Sequence, residues 1–167
     1  RVKPVVLDPS RVGPPPLAQL KHINNDFSGL SVRVAVVEGK GLGMMAQRRI
    51  ESGEVIAKYL TRLYTKAGHS FSEYAIGALD GRFVNDLFAG SFPPVGADGI
   101  SFLAPLANEL SEGEAGEYNA KLVLFYEDVD KRQSLFGLVA MRAIAVDEEI
   151  LWFYGKDYPR DYCVKKP

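Results

Sequence analysis

Hydrophobic and polar residues alternate along much of the chain in short stretches, a pattern typical of β-strands that bury one face. The alternation begins at residues 30–37 (LSVRVAVV), and turn-forming residues separate the stretches that follow. We therefore predict a mainly β fold with little helix, rather than a repeated strand–helix pattern. The other predicted strands are 44–50, 54–60, 69–79, 81–89, 120–129, 134–144 and 148–155.

Turn residues predict how some of these strands pair. The dipeptide Asp80–Gly81 is a hairpin signal between the strands that flank it. Residues 120–129 are expected to pair with 134–144 across a polar DKRQ turn. Residues 99–110 are apolar but contain Pro105, so this segment is either a short helix or a buried irregular connection.

The chain divides into three parts by composition. Residues 1–28 contain five prolines, including Pro14–Pro16, and are predicted to form an extended arm. Residues 29–158 hold all the predicted strands and form one domain, and 159–167 are a polar tail. The first residue is Arg1 rather than Met, so we expect the sequence to be part of a longer chain.

Charge and composition narrow the function classes. Twenty basic and 21 acidic side chains give a formal net charge of −1, so we expect no direct binding of nucleic acid. One cysteine, Cys163, leaves no internal disulfide, and with only His22 and His69 as imidazoles we expect no metal site. We recognise no apolar run of transmembrane length and no signal peptide, so we expect an intracellular protein without a membrane partner.

Two segments of the chain repeat one pattern. Residues 46–56 and 140–150 both read Ala-x-Arg-x-Ile, followed by a turn and Glu-x-Ile. Gly53 and Asp147 occupy the same turn position, and both residue types tolerate unusual backbone conformations. We interpret the two segments as similar hairpins in one sheet.

Three glycines, Gly39, Gly41 and Gly43, follow the first predicted strand. Their spacing matches neither a phosphate-binding loop nor a dinucleotide fingerprint. One interpretation is a tight turn between strands. The other is a corner where missing Cβ atoms let a ligand lie against the backbone.

Five short motifs occur together in one order along the chain. They are 39–43 (GKGLG), 50–60, 72–90, 105–120 (PLANE to YNA) and 142–158. In this order they resemble the SET domain, the fold of protein lysine methyltransferases, over about residues 31–158, and the PR-type subset without zinc-binding segments is the most similar. The resemblance implies several short curved sheets, S-adenosylmethionine as cofactor, and a lysine-containing protein or peptide, such as a histone tail, as substrate. It also implies a nuclear chromatin regulator.

The resemblance also assigns roles to individual residues. Tyr154 matches the tyrosine at the methyl-transfer channel, which makes it the expected catalytic residue. Trp152 and Phe153 would form apolar walls of the substrate channel, and such walls favour the neutral lysine amine. The residues expected to bind S-adenosylmethionine are Lys40, Gly41, Leu42, Tyr74, Asn108 and Tyr158.

The chain departs from the family pattern at three points. Pro105 stands where many members have arginine, Glu109 replaces a histidine, and the spacing from Asn108 to Asn119 is longer than usual. These departures favour an alternative in which a SET-like domain of low or no activity binds proteins or peptides. A small-molecule-binding β domain that shares only the turns is a third interpretation.

Overall fold

The computed structural model describes residues 29–64, 76–77, 83–86, 98–128, 130, 133–156, 158 and 162–167. The predicted arm, residues 1–28, lies outside them. Short antiparallel strands dominate the described part, which confirms the mainly β prediction. The strands are β1 (Val32–Val37), β2 (Gly41–Ala46), β3 (Val55–Tyr64), β4 (Ile76–Gly77), β5 (Phe83–Asp86), β6 (Ala120–Asp128) and β7 (Gln133–Ala140).

The described strands form two sheets. Strands β1 and β2 form an antiparallel hairpin in which Val32 lies opposite Ala46 and Val37 opposite Gly41. The other sheet has the order β4-β5-β3-β7-β6, with antiparallel neighbours throughout. The predicted pairings of β4 with β5 and of β6 with β7 are therefore confirmed.

The segment around Pro105 is mainly an irregular connection. It contains one 3₁₀ turn, Ala104–Leu106, with the proline near the start of the turn, where its missing N–H costs little. Leu103 and Leu106 are buried in the hydrophobic core beside Met44 of β2. In the described part of the chain we find no helix with the length and apolarity needed to cross a membrane.

The two repeated segments contact each other as a symmetric pair. Ile50 and Ile144 are fully buried and exchange both of their backbone hydrogen bonds, at 3.0 and 2.9 Å. Gly53 and Asp147 both have a positive φ. Gly53 N–H donates to the carbonyl of Ala140, and Asp147 N–H donates to the carbonyl of Ala46, the alanines that begin the opposite segments. The repeats are thus two similar turns that face each other around an isolated bridge, rather than hairpins within one sheet.

Matching ion pairs stabilise the two turns. Arg48 binds Glu54 in the first, and Arg142 binds Glu148 at 2.6 Å in the second. The hydrogen bond from Arg48 is the main reason that the pKa of Glu54 lies below its ordinary value. Burial raises the pKa of Glu148, but hydrogen bonds from Arg142 and the backbone outweigh burial and lower this pKa as well.

The last predicted strand contributes a short inserted segment, residues 150–154, instead of a full sheet strand. Leu151 forms a parallel bridge with Asn108 on one side, and Trp152 forms a parallel bridge with Ala120 on the other. Trp152 N donates to the Asn108 carbonyl at 3.0 Å, and Ala120 N donates to the Leu151 carbonyl at 3.0 Å. The chain therefore passes between two earlier segments and brings their side chains beside its own.

Candidate active site

The glycine-rich segment forms the turn of the β1–β2 hairpin. Lys40 N donates to the Val37 carbonyl at 3.1 Å and closes the turn. Gly39 and Gly41 have φ angles of 75° and 83°, a left-handed conformation that costs energy for a residue with a Cβ. A tight turn therefore accounts for the first two glycines.

The third glycine, Gly43, is required by crowding. A Cβ here would lie 2.5 Å from a methyl group of Val37, 2.9 Å from Asn108 Nδ2 and 3.0 Å from Glu149 Oε1. Only a hydrogen fits in this space. The missing side chain allows the PLANE segment and the segment that contains Glu149 to approach β2 closely.

Asn108 connects these segments through its side-chain amide. Its Nδ2 donates to the Leu42 carbonyl at 3.0 Å and to Glu149 Oε1 at 2.9 Å. Both amide hydrogens therefore have acceptors. Among the described residues we find no donor to Asn108 Oδ1, and the side chain is only partly buried, so this oxygen is open to a ligand.

The Lys40 side chain lies between two carboxylates. Its Nζ is 2.6 Å from Glu114 Oε1 and 3.7 Å from Glu149 Oε2. Burial raises the pKa of Glu114, but hydrogen bonds from Lys40 and from the Ser111 N–H outweigh burial and leave the pKa below its ordinary value. Glu114 is thus more than a solvated loop residue, because it fixes the lysine of the glycine turn.

Tyr154 lies on the other side of Asn108. Its hydroxyl donates to the Ala107 carbonyl at 2.8 Å, one residue before Asn108. Its ring contacts Trp152 and Tyr158, with centroid distances of 5.0 and 4.9 Å. Burial, together with the neighbouring tyrosine and glutamate charges, raises the pKa of Tyr154 well above 10.0, so the hydroxyl stays protonated.

Glu109 holds the backbone of Tyr154 in place. Its buried carboxylate accepts a hydrogen bond from Tyr154 N at 2.8 Å and one from the Tyr162 hydroxyl at 3.3 Å. Glu109, which replaces a histidine of the family pattern, thus connects the backbone of the predicted catalytic residue Tyr154 to Tyr162 in the C-terminal tail.

Asn119 is fully buried and holds the inserted segment. Its Nδ2 donates to Glu148 Oε1 at 3.1 Å and to the Glu149 carbonyl at 2.7 Å, and its Oδ1 accepts from Leu151 N at 2.8 Å. Because both amide hydrogens and the oxygen are bonded within the protein, Asn119 has a structural role.

The structure brings several predicted site residues together. Lys40, Gly41 and Leu42 adjoin Asn108 at the hairpin. Leu42 is buried and its carbonyl accepts a hydrogen bond from Asn108, so the partly exposed Lys40 and Gly41 are the residues that a ligand could meet. Tyr158 contacts Tyr154 as described above. Their roles in binding and catalysis stay predictions.

Of the other predicted site residues, one packs against Tyr154, one faces away from it and one falls outside the described part. Trp152 is buried in the core on the same side as Tyr154. Phe153 faces the opposite way, because neighbouring residues of an extended segment alternate, and its ring lies 5.8 Å from that of Tyr118. Tyr74 lies outside the described residues, so its predicted contact with the cofactor stays a prediction.

Two acidic residues of this site were missing from the sequence-based set. Glu149 contacts Asn108 and Lys40, and Glu114 contacts Lys40. Glu149 could have been predicted as a site residue, since it belongs to the 142–158 motif that contains Tyr154. Nothing in the sequence marks Glu114 as a site residue, because it lies in a glycine-spaced acidic loop that resembles many solvated loops.

Among the described residues, no group of three or more His, Cys, Asp or Glu side chains is arranged so that it could hold a metal ion.

A search of protein-family models gives no match, and no curated protein matches the sequence. Similarity is found among solved structures.

One similar structure is a Plasmodium falciparum protein provisionally assigned as a histone methyltransferase. It has a TM-score of 0.53 at 17% sequence identity, and the match covers 76% of this chain and 95% of that one. A second is KRYPTONITE, solved in complex with mCHH DNA, an H3(1-15) peptide and SAH, with a TM-score of 0.53 at 18% identity.

The match with KRYPTONITE covers 74% of this chain but only 23% of the other, so the chain spans about a quarter of that protein. Identities this low establish a common fold and leave function to the site itself. These two structural similarities agree with the small antiparallel sheets of the chain and with the near absence of helix among its described residues. The chain therefore has a SET-type fold.

Proposed function

We propose that this protein transfers a methyl group from S-adenosylmethionine to a lysine side chain of a protein. One observation carries the proposal: the glycine turn, Asn108 and Tyr154 form one connected unit. Asn108 Nδ2 binds the Leu42 carbonyl, and the Tyr154 hydroxyl binds the carbonyl of the preceding residue, Ala107. A candidate binding group and a candidate catalytic group are thus held next to each other.

The residues present fit S-adenosylmethionine. Asn108 offers an open amide oxygen, which suits the amino groups of the cofactor. The partly exposed turn at Lys40 and Gly41 offers peptide groups beside a glycine, which has no bulky side chain. Tyr158 offers an aromatic ring for the adenine. The cofactor, when bound, supplies the methyl group.

Tyr154 acts by position in this proposal. Its raised pKa keeps the hydroxyl protonated, so it serves as a hydrogen-bonding group rather than as a base. A lysine amine has an ordinary pKa of about 10.4 and must lose its proton before it can attack. Aromatic surroundings such as the Tyr154 and Trp152 rings disfavour the ammonium form, and alignment of the amine with the methyl group supplies most of the rate.

For the substrate we propose a lysine in a histone tail, and with it a nuclear role in chromatin regulation. The KRYPTONITE structure contains an H3 peptide and SAH, and the Plasmodium protein is provisionally assigned as a histone methyltransferase. We also propose that the domain is of the PR type, the subset that the motifs of residues 31–158 resemble most.

The test has two steps. Calorimetric titration with S-adenosylmethionine should show binding to the 167-residue chain. Labelled methyl groups should then pass from the cofactor to lysines in a mixture of histone peptides, and peptides with arginine in place of lysine should stay unlabelled. Absence of cofactor binding would reject the proposal.

A second candidate function is a domain that binds proteins or peptides without catalysis. It is favoured by Glu109, whose buried carboxylate replaces the expected histidine and is bonded to Tyr154 and Tyr162. Cofactor binding without transfer to any histone peptide, together with direct peptide binding, would support this candidate instead.

A further inference from the structure

The charges around the glycine turn are unequally distributed. Lys40 Nζ lies 2.6 Å from Glu114 and 3.7 Å from Glu149, and Lys165 adds a further attractive charge that acts on Glu114. The side chains of Lys40 and Glu149 are only 13% and 15% exposed. Solvent and salt therefore screen this cluster less than they screen a surface ion pair.

Glu149 is the less compensated of the two carboxylates. Lys40 lies closer to Glu114 by about one ångström, and the other oxygen of Glu149 binds the neutral amide of Asn108 at 2.9 Å. This amide carries the open oxygen of the proposed cofactor site. The negative charge of Glu149 also contributes to the raised pKa of Tyr154, so its field extends to the proposed catalytic residue.

We infer that Glu149 makes this site selective for a cationic cofactor, and that it favours S-adenosylmethionine over the product S-adenosylhomocysteine. The inference rests on the proposed function. The two molecules share their adenosine and amino-acid groups and differ at sulfur, where the cofactor is a positively charged sulfonium and the product a neutral thioether. The incompletely compensated charge of Glu149 acts alike on the ammonium that both molecules carry, and it additionally stabilises the sulfonium that only the cofactor has. The same selectivity promotes release of the product after transfer.

The experiment compares the affinities of both molecules in three proteins. Glu149→Gln keeps an oxygen that accepts the hydrogen bond from Asn108 and removes the charge. Lys40→Gln removes the opposing positive charge and keeps a donor toward Glu114. The affinity ratio of S-adenosylmethionine to S-adenosylhomocysteine should fall about threefold to tenfold in Glu149→Gln and rise by a similar factor in Lys40→Gln.

Glu51→Gln is the matched control. It removes the same formal charge from a pair with Arg49 in which both side chains are 66% exposed, so the ratio should stay at the wild-type value. Raising the salt concentration should reduce the wild-type ratio, because screening weakens the interaction between Glu149 and the sulfonium.

The outcomes separate the two proposals. If wild type binds neither molecule, the proposed function is wrong. If wild type binds both and the ratio is the same in Glu149→Gln and Lys40→Gln, the inference is overturned while the proposed function stands. A loss of structure would lower both affinities together and leave their ratio unchanged, and thermal unfolding checks for it. Should Glu149→Gln fail to fold, Lys40→Gln decides alone, since it alters the same charge balance in the opposite direction.

Discussion

At the residue scale, removal of the Tyr154 hydroxyl group tests its proposed role in methyl transfer. Tyr154→Phe keeps the ring contacts with Trp152 and Tyr158 and deletes the hydrogen bond to Ala107. Methyl transfer should fall by a factor of about ten to a thousand, because loss of one positioned polar group costs about 1.4–4 kcal/mol of transition-state stabilisation. Binding of S-adenosylmethionine should change little. Transfer of labelled methyl and calorimetry measure the two effects.

Tyr118→Phe is the matched control for this variant. The Tyr118 hydroxyl also donates to a backbone carbonyl, that of Lys165 at 2.6 Å. The two variants should lose comparable stability, about 0.5–1.5 kcal/mol for one hydrogen bond, and only Tyr154→Phe should lose activity. Equal activity in wild type and Tyr154→Phe would remove the hydroxyl from the mechanism.

Gly43→Ala tests the crowding between β2 and the site. The new methyl group would collide with Val37, Asn108 and Glu149, so we expect a loss of about 1–3 kcal/mol in the free energy of unfolding and weaker cofactor binding. Gly53→Ala is the comparison, because that position has a positive φ of 83° and open space around a Cβ. Urea unfolding and calorimetry should show that both variants are less stable and that only Gly43→Ala binds the cofactor poorly.

Individual site residues were predictable where a short motif marked them and unpredictable where a contact depended on distant parts of the chain. The sequence singled out Lys40 as part of a glycine turn but gave no sign that its ammonium lies between Glu114 and Glu149. Such a contact depends on how three separated segments meet. Likewise, the sequence shows a glycine at position 43 but does not show that Val37, Asn108 and Glu149 leave no room there for a side chain.

At the scale of elements, the inserted segment depends on Asn119. Asn119→Ala deletes three buried hydrogen bonds, to Glu148, Glu149 and Leu151, and should lower the free energy of unfolding by about 2–4 kcal/mol. Asn108→Ala removes a partly buried amide and should instead weaken cofactor affinity several-fold with a smaller loss of stability. Denaturant unfolding and calorimetry on both variants check this division of roles. Equal cofactor affinity in wild type and Asn108→Ala would count against the assignment of Asn108.

The paired turns of the repeated segments should make stability depend on pH in the acid range. The folded protein has lowered pKa values at Glu54 and Glu148, so it binds fewer protons there than the unfolded chain, whose carboxyl pKa is about 4.5. Their contribution is complete above this pH and is lost as the pH falls through the folded values. The double variant Glu54→Gln, Glu148→Gln should therefore lose less stability than wild type between about pH 6 and pH 3 in urea unfolding. An identical acid slope in the two proteins would contradict the assignment.

The repeat itself was visible in the sequence, and its arrangement was not. A shared Ala-x-Arg-x-Ile pattern predicts two similar turns because local residues determine a turn. Whether the turns lie side by side in one ladder or face each other depends on contacts such as Ile50 with Ile144, between residues far apart in the chain. For the same reason the last predicted strand was found as a segment held by isolated bridges.

At the scale of the whole molecule, the fold class followed from alternation and turn residues, and the family resemblance rested on the order of five motifs. The passage of residues 150–154 between Asn108 and Ala120 was not predictable from the sequence. Local propensity contains no information about which segment lies inside another. This passage brings Tyr154 next to Ala107, so it is also what assembles the site.

The passage should be visible in folding kinetics. Trp152 is the single tryptophan of the sequence and is buried within the inserted segment, so its fluorescence reports insertion. Circular dichroism reports formation of the sheets. After dilution from urea we expect the circular dichroism change to precede the fluorescence change, because contacts between distant segments form slowly. Coincident time courses in the two signals would show that the sheets and the insertion form in one step.

The same passage has a consequence for synthesis on the ribosome. Segments around Asn108 and Ala120 leave the ribosome before residue 152 does, and until then their inner backbone groups face water or a chaperone. A nascent chain arrested before the inserted segment leaves the ribosome should be easily cleaved by protease, and one extended until the segment is outside should resist cleavage. The inserted segment therefore completes the candidate site last: until it is free to fold, the backbone hydrogen bonds that join it to Met44, Asn108 and Ala120 are absent.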